Sequence, residues 1–210
     1  MTTMTLALSK GRILDDSLPL LAKIGLAPAG DVGRLLRVPS QDPNVSLLII
    51  RPADVPTYVE YGAADLGITG KDVLMEQSER EVYELRDLGF GRCVMVLAGV
   101  AGEDRGAEAL NRLGVVRIAT KYPKIAARHF LETGRQAEIV EVKGSVELAP
   151  LTGLSEAIVD LTATGTTLRE NGLVVREEIV VCTARLIANP VSHKLKAKAM
   201  DAVLEALDAV

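Results

Sequence analysis

Tryptophan is absent from this chain of 210 residues, and two Phe and four Tyr are all the aromatics it has. A surface that stacks successive bases needs more, so single-stranded nucleic acid is disfavoured as a partner. Positive charge is not in excess either. Lys and Arg number 24 against 28 Asp and Glu, a formal charge of −4. That argues against any nonspecific grip on nucleic acid while leaving room for a local basic pocket. Cysteine is scarce: Cys93 and Cys182 stand far apart in sequence, in no CxxC or Cys/His spacing. The expectation is two structural thiols in a reducing cytoplasm and no protein-built metal site. No apolar run approaches the roughly 20 residues of a membrane span. The opening MTTMTLALSKGR lacks the basic start and apolar core of a secretion signal, which points to a cytoplasmic protein with no membrane association. What remains is the composition of a globular protein, nearly half apolar, long enough to bury one large core or two small ones.

Strand and helix patterns alternate along the chain. TLAL (5–8) reads as a strand, followed by a helix with Leu14, Leu18, Leu21 and Ile24 on one face, closed by Gly25. SLLIIR (46–51) is a central strand and ADVPTYVEYG a short helix. ADLGITG is a strand and turn, and RCVMVLAGV a longer strand. VVRIAT, a helix from Pro123 to Glu132, and AEIVEV form a β-α-β unit. A final helix has Asn189 as N-cap, Pro190 at its first position, and Leu195, Ala199, Val203 and Leu207 on one face. This order predicts an α/β fold with mostly parallel sheets. Two extended runs, around 83–100 and 173–189, are too long for one strand each. Each is expected to leave one sheet and enter another. The chain then forms two lobes joined by two crossings, lobe I from 1–90 and 180–210 and lobe II from 91–179, with a cleft between lobes as the favoured ligand site.

The most informative stretch is IVDLTATGTTLRENG (158–172). An apolar strand ends in Asp160, and Thr162, Thr164, Gly165, Thr166 and Thr167 then crowd hydroxyls and backbone N–H groups at a helix start. Such a start attracts anions. A plain Thr-capped helix needs only one hydroxyl, and this bend offers four. Strand, acid and hydroxyl-rich turn together suit a sugar phosphate, the acid on ribose hydroxyls and the turn on phosphate.

Other candidates carry less. In LSKGR (8–12), Lys10 and Arg12 flank a strand-to-helix turn, suited to a polyphosphate or to a solvated basic turn. GITGKD (67–72) fails as a Walker loop, because Asp65 and Asp72 stand where Gly and Ser or Thr belong; Gly67 and Gly70 read as turn residues open to close ligand approach. In EVKGSVELAP (141–150), Ser145 is either a helix cap or a ligand contact. Arg51 closes a strand before Pro52. His129 and His193 have no nucleophile at a recognisable spacing and read as surface or packing residues. No Ser-His-Asp, HExxH or paired-carboxylate pattern occurs.

LSKGR, RPADVPTYVEYGAADLGITGKD, RIATKYPKIA, KGSVELAP and AIVDLTATGTTLRENGL, in this order along the chain, resemble the ATP phosphoribosyltransferase family over nearly the whole chain. The resemblance implies a two-lobed fold like that of type II periplasmic binding proteins. It implies that N1 of ATP displaces pyrophosphate from phosphoribosyl pyrophosphate, giving phosphoribosyl-ATP at the first step of histidine biosynthesis. Asp160 with Ala163, Thr164, Gly165, Thr166 and Thr167 would hold the phosphoribosyl unit, and Glu141 or Glu147 would lie near ribose or adenine, with Ser145 close by. Lys10, Arg12, Arg34 and Arg51 would be the catalytic cations that meet pyrophosphate or ATP phosphates, Arg51 within its own chain or from a neighbouring subunit. Magnesium would arrive on the substrate. The chain resembles the short form, expected to work as a homodimer within a hetero-octamer with a regulatory subunit resembling histidyl-tRNA synthetase, and to have no histidine site of its own. Two rivals share these features: a two-lobed solute-binding module without chemistry, and a phosphoribosyltransferase acting on another base.

Overall fold

The computed structural model describes residues 3–210. The chain falls into two compact units, Met1–Gly91 with Thr183–Val210, and Arg92–Cys182. The first unit begins with β1 (Met4–Ser9), α1 (Arg12–Lys23), β2 (Arg37–Pro39) and β3 (Val45–Ile50). After a 3-10 turn at Pro52–Asp54 it continues through α2 (Val55–Glu60), β4 (Leu66–Gly70), α3 (Lys71–Glu76) and β5 (Tyr83–Asp87). The second unit runs β6 (Cys93–Val100), α4 (Arg105–Leu113), β7 (Val116–Thr120), α5 (Pro123–Glu132), β8 (Ala137–Glu141), α6 (Leu148–Thr152), β9 (Ala157–Thr162), α7 (Thr166–Glu170) and β10 (Leu173–Cys182). The chain then re-enters the first unit with β11 (Ala184–Ala188), α8 (Pro190–Leu195) and α9 (Ala197–Asp208).

The first sheet has the order β2-β3-β1-β4-β11-β5 and the second β10-β6-β9-β7-β8. Both are mixed rather than mostly parallel. Strands β3, β1 and β4 are parallel neighbours, as are β9, β7 and β8. The four strands of the long extended runs pair antiparallel throughout: β5 with β11, β11 with β4, and β6 with both β9 and β10. A parallel neighbour requires a long crossover, usually a helix. The two runs pass between units through Leu88–Arg92 and the single residue Thr183, with no helix there.

Both faces of the first sheet are covered. Leu6, Leu8, Leu47, Ile49, Leu66, Ile68 and Leu186 pack with Leu21 of α1 and Met200 of α9, while Ala7 and Ile187 point the other way onto Val55 and Val59 of α2. Alternate strand residues thus serve two cores, which is why these strands read as almost continuous apolar runs. In the second unit Val94, Val96, Ala98, Ala119 and Ile158 pack with Ala149 of α6 and Leu168 of α7. Gly67 is a packing residue of β4, not a turn. A Cβ there would lie 2.8 Å from side-chain carbons of both Val55 and Val59, so glycine lets α2 settle on the sheet.

Asn189 caps α8 by accepting from the Ser192 amide at 2.8 Å, with Pro190 at the first helical position. The final helix is nonetheless two helices, broken at Lys196. That side chain reaches back to the carbonyl of Thr3 and to Asp65 Oδ2, each at 2.8 Å, and tertiary contact sets the bend. Cys93 and Cys182, far apart in sequence, are direct cross-strand partners on β6 and β10, with no disulfide between them.

Candidate functional site

In open α/β sheets, ligands gather where parallel strands end, because loops and helix starts converge at that edge. In the second unit, β9, β7 and β8 end together at Thr162, Thr120 and Glu141. Asp160 lies near the end of β9, two residues before its last, and is only 7% exposed. Its Oδ1 accepts from the Leu161 amide at 2.8 Å, and Lys121, the first residue beyond β7, places Nζ 3.5 Å away. Burial pushes the carboxyl above its ordinary value. Lys121 and the Leu161 amide oppose that rise, and Glu147 adds to it.

The bend after Asp160 is shaped by its own hydroxyls. Thr162 Oγ1 accepts from the Gly165 amide at 2.8 Å, and Thr164 Oγ1 donates to Thr166 Oγ1 at 3.0 Å. Arg169 folds back, donating to the Thr164 carbonyl at 3.0 Å and to Thr166 Oγ1 at 3.1 Å. Gly165 takes φ 71°, which lets the chain reverse before α7. Three of the four hydroxyls therefore build the bend, and of the four Thr167 alone makes no side-chain hydrogen bond with the described residues. Helix α7 has five residues, too few for much of a macrodipole. Positive charge at the bend is supplied instead by Arg169 and by the amides of Ala163, Thr164 and Thr167, which find no backbone acceptor among the described residues.

The β8–α6 loop lies at the same edge. Glu141 pairs with Lys143, and Glu147 occupies the cap position of α6 without donating or accepting a side-chain cap bond. Ser145 caps nothing. It is exposed and takes φ 50°, the one left-handed non-glycine among the described residues. Strain of that kind is characteristic of ligand-clamping loops, so the cap alternative falls away and an exposed hydroxyl at the strand edge remains.

The corresponding edge of the first unit is cationic. Ser9 is buried and donates Oγ–H to the Ile68 carbonyl at 2.9 Å, while the Lys10 amide donates to the Ile50 carbonyl at 2.8 Å. These bonds tie the end of β1 to both neighbours. Gly11 then turns the chain at φ 88° into α1, which has no side-chain cap. Lys10, Arg34 and Arg51 are exposed and have no carboxylate partner among the described residues. Pro52 holds Arg51 extended at φ −66°, ψ 144°, so that it projects from the end of β3. Other cations of this edge are committed: Lys71 to Glu84 at 2.6 Å and Arg185 to Asp87 at 2.8 Å. Arg12 is partly committed, donating from Nη2 to the Gly91 carbonyl at 2.8 Å.

The two histidines lie outside both groups. His129 joins Glu177 and Arg135, and His193 packs edge-on against Tyr83. The described residues contain no cluster of three His, Cys, Asp or Glu side chains able to hold a metal ion. No described helix is long and apolar enough to cross a membrane. Lys121 and Arg169 were not singled out in the sequence. Each sits within a noted motif, but only parallel pairing sets Lys121 against Asp160, and only the bend brings Arg169 back over the threonines.

Fold and site define a class: a two-unit α/β protein that presents an acid and a threonine-built bend on one sheet edge and uncommitted cations on another. The chain belongs to the ATP phosphoribosyltransferase family, with residues 51–209 matching the family model HisG: ATP phosphoribosyltransferase. An ATP phosphoribosyltransferase of Pseudomonas paraeruginosa is 48% identical over 99% of this chain and 97% of its own length. One of Marinobacter nauticus is 47% identical over 99% and 95%. Among solved structures, the ATP phosphoribosyl transferase (HisG:HisZ) complex from Thermotoga maritima matches with TM-score 0.83 and 36% identity, covering 99% of this chain and 98% of the matched one. The periplasmic VFT2 domain of Bordetella pertussis BvgS matches with TM-score 0.63 at 12% identity over 99% of this chain and 88% of its own. That likeness shows a fold of the type II periplasmic-binding-protein kind.

Proposed function

We propose that this chain catalyses attack of N1 of ATP on C1 of phosphoribosyl pyrophosphate, forming the N1–C1 bond as the C1–oxygen bond to pyrophosphate breaks. The product is phosphoribosyl-ATP, and the step opens histidine biosynthesis. The observation that carries the reading is the bend after Asp160: a buried acid followed by a threonine-built turn with open amides and Arg169 against it. Asp160 accepts from ribose hydroxyls, Ala163, Thr164, Gly165, Thr166 and Thr167 surround the 5-phosphate, and Ser145 and Glu147 border the sugar, with Glu141 on the same strand edge. Lys10, Arg34 and Arg51 neutralise pyrophosphate or ATP phosphates, with Arg12 contributing beside its Gly91 contact. Such a site accelerates by alignment and by charge compensation of the leaving group, with little covalent work by the protein.

Magnesium belongs to the substrate in this scheme, held by pyrophosphate and ribose oxygens, the hard donors it prefers. We place the chain in the cytoplasm, as a homodimer that joins a HisZ-type subunit resembling histidyl-tRNA synthetase in a hetero-octamer. A steady-state assay of phosphoribosyl-ATP formation, with ATP, adenine and orotate compared as acceptors and with the HisZ-type subunit present or absent, tests the reading. Turnover with ATP alone among the three supports it. Turnover with another base, or binding without turnover in either assembly, overturns it.

A further inference from the structure

We propose that Lys121 is a positioning residue of the phosphoribosyl site, its ammonium holding the buried Asp160 carboxylate ionised and aimed as an acceptor for the sugar hydroxyls. This deepens the function proposed above and rests on its placement of ribose at Asp160. The geometry comes from strand register. Thr120 of β7 stands beside Val159 of β9 in a parallel pair, so the next residues, Lys121 and Asp160, are neighbours, with Nζ 3.5 Å from Oδ1. Their exposures differ in the useful sense. The Asp160 side chain is 10% exposed and that of Lys121 42%, so the cation stays largely hydrated while its field acts on a carboxylate that has lost most of its water. The turn is held in place as well. The Tyr122 amide donates to Thr120 Oγ1 at 2.9 Å, and the Lys121 ammonium lies 5.4 Å from the Tyr122 ring centroid.

The groups around Asp160 can be named element by element. β6 places Val96 opposite it, the chain itself supplies the Leu161 amide, and β7 supplies Lys121. From the start of α6, Glu147 contributes a like charge. Burial and Glu147 favour the neutral acid, while Lys121 and one amide favour the carboxylate. Removing the lysine charge leaves a single amide against burial and Glu147, so protonation moves to higher pH. A protonated aspartic acid carries a hydrogen to donate, has less acceptor capacity and has lost the charge that strengthens its acceptor bonds, so it holds ribose hydroxyls more weakly.

The experiment measures kcat and kcat/KM for phosphoribosyl pyrophosphate against pH in the whole assembly, for the unaltered chain, Lys121→Met, Lys121→Arg and Asp160→Asn. Substrate phosphate titration is common to all four and cancels in comparison. For Lys121→Met the expected result is an acid limb of kcat/KM moved up by about one pH unit or more, the usual size of a nearby opposite charge. KM for phosphoribosyl pyrophosphate should rise about tenfold near neutrality, with recovery at alkaline pH and substantial rescue by Lys121→Arg. A purely structural lysine would alter melting without moving the limb. An unmoved limb and unchanged KM in Lys121→Met, beside a crippled Asp160→Asn, overturns the role of Lys121 alone. Normal kcat/KM in Asp160→Asn overturns the placement of ribose itself. Should Lys121→Met not fold, Lys121→Gln takes its place with the same expectations.

Discussion

Arg12 Nη2 donates to the carbonyl of Gly91 at 2.8 Å, joining the first turn of α1 to the last residue before the chain leaves the first unit. Lys10, two residues earlier, makes no such side-chain contact among the described residues. The two cations of one motif therefore differ in what they hold. Arg12→Ala should lower both activity and stability, the latter by about 1 kcal/mol, the net worth of an ordinary hydrogen bond, or roughly 2–4 °C in a chain of this size. Lys10→Ala should lower kcat/KM and leave melting unchanged. Calorimetry beside steady-state kinetics separates them, and equal melting losses would contradict the assignment.

Gly165 takes φ 71°, and a Cβ there would stand 3.0 Å from Arg169 Nη1. Gly165→Ala should raise KM for phosphoribosyl pyrophosphate by disturbing the bend, at a backbone cost of about 1–2 kcal/mol. Gly165→Asn, whose residue tolerates the left-handed region better, should fall between alanine and glycine. A KM series of Gly, Asn and Ala that fails to rise in that order would count against the bend as the phosphate site.

At Gly67 the opposite pattern is expected. Its Cβ would meet Val55 and Val59 at 2.8 Å, so Gly67→Ala should destabilise by about 1–3 kcal/mol through overpacking. KM of the folded fraction should be unchanged. Denaturant unfolding provides the first number and kinetics the second. A KM effect without a stability effect would restore Gly67 as a ligand-facing residue.

Glu156 accepts from the Arg117 amide at 2.7 Å and from its guanidinium Nε at 3.0 Å. Burial raises its pKa, but the Arg117 bonds and charge outweigh this and hold it below the ordinary glutamate value. A depressed folded value means stabilisation present above the unfolded pKa and lost as pH falls through the folded one. Glu156→Gln should therefore be less stable than the unaltered chain at pH 7, and the gap should close below pH ~4, under the usual glutamate value near ~4.3. Unfolding free energies at the two pH values test this; a gap that persists in acid would point to shape rather than charge.

Local signals were legible in proportion to how local their physics is. Helix α5 spans Pro123–Glu132, the bounds its proline start and apolar spacing predict, and Asn189 caps where an N-cap residue before proline should. Helix α4 had its own signals, with Asp104 accepting from the Ala107 amide and Gly114 left-handed at its end. These signals, Asp104 before the helix and Gly114 after it, stand in the sequence itself. The break at Lys196 was beyond reach because its causes, Thr3 and Asp65, are remote in sequence.

Taken alone, the order of residues determined the alternation of strands and helices, the crossing of two long runs between sheets, and the hydroxyl-rich bend with its acid. All of these follow from periodicity, turn chemistry and neighbours a few residues away. The tertiary structure alone decided strand direction, the packing duty of Gly67, which cations stay uncommitted, and the meeting of Lys121 with Asp160. Those depend on which distant backbones pair and in what register, and register brings together groups that no short-range pattern connects.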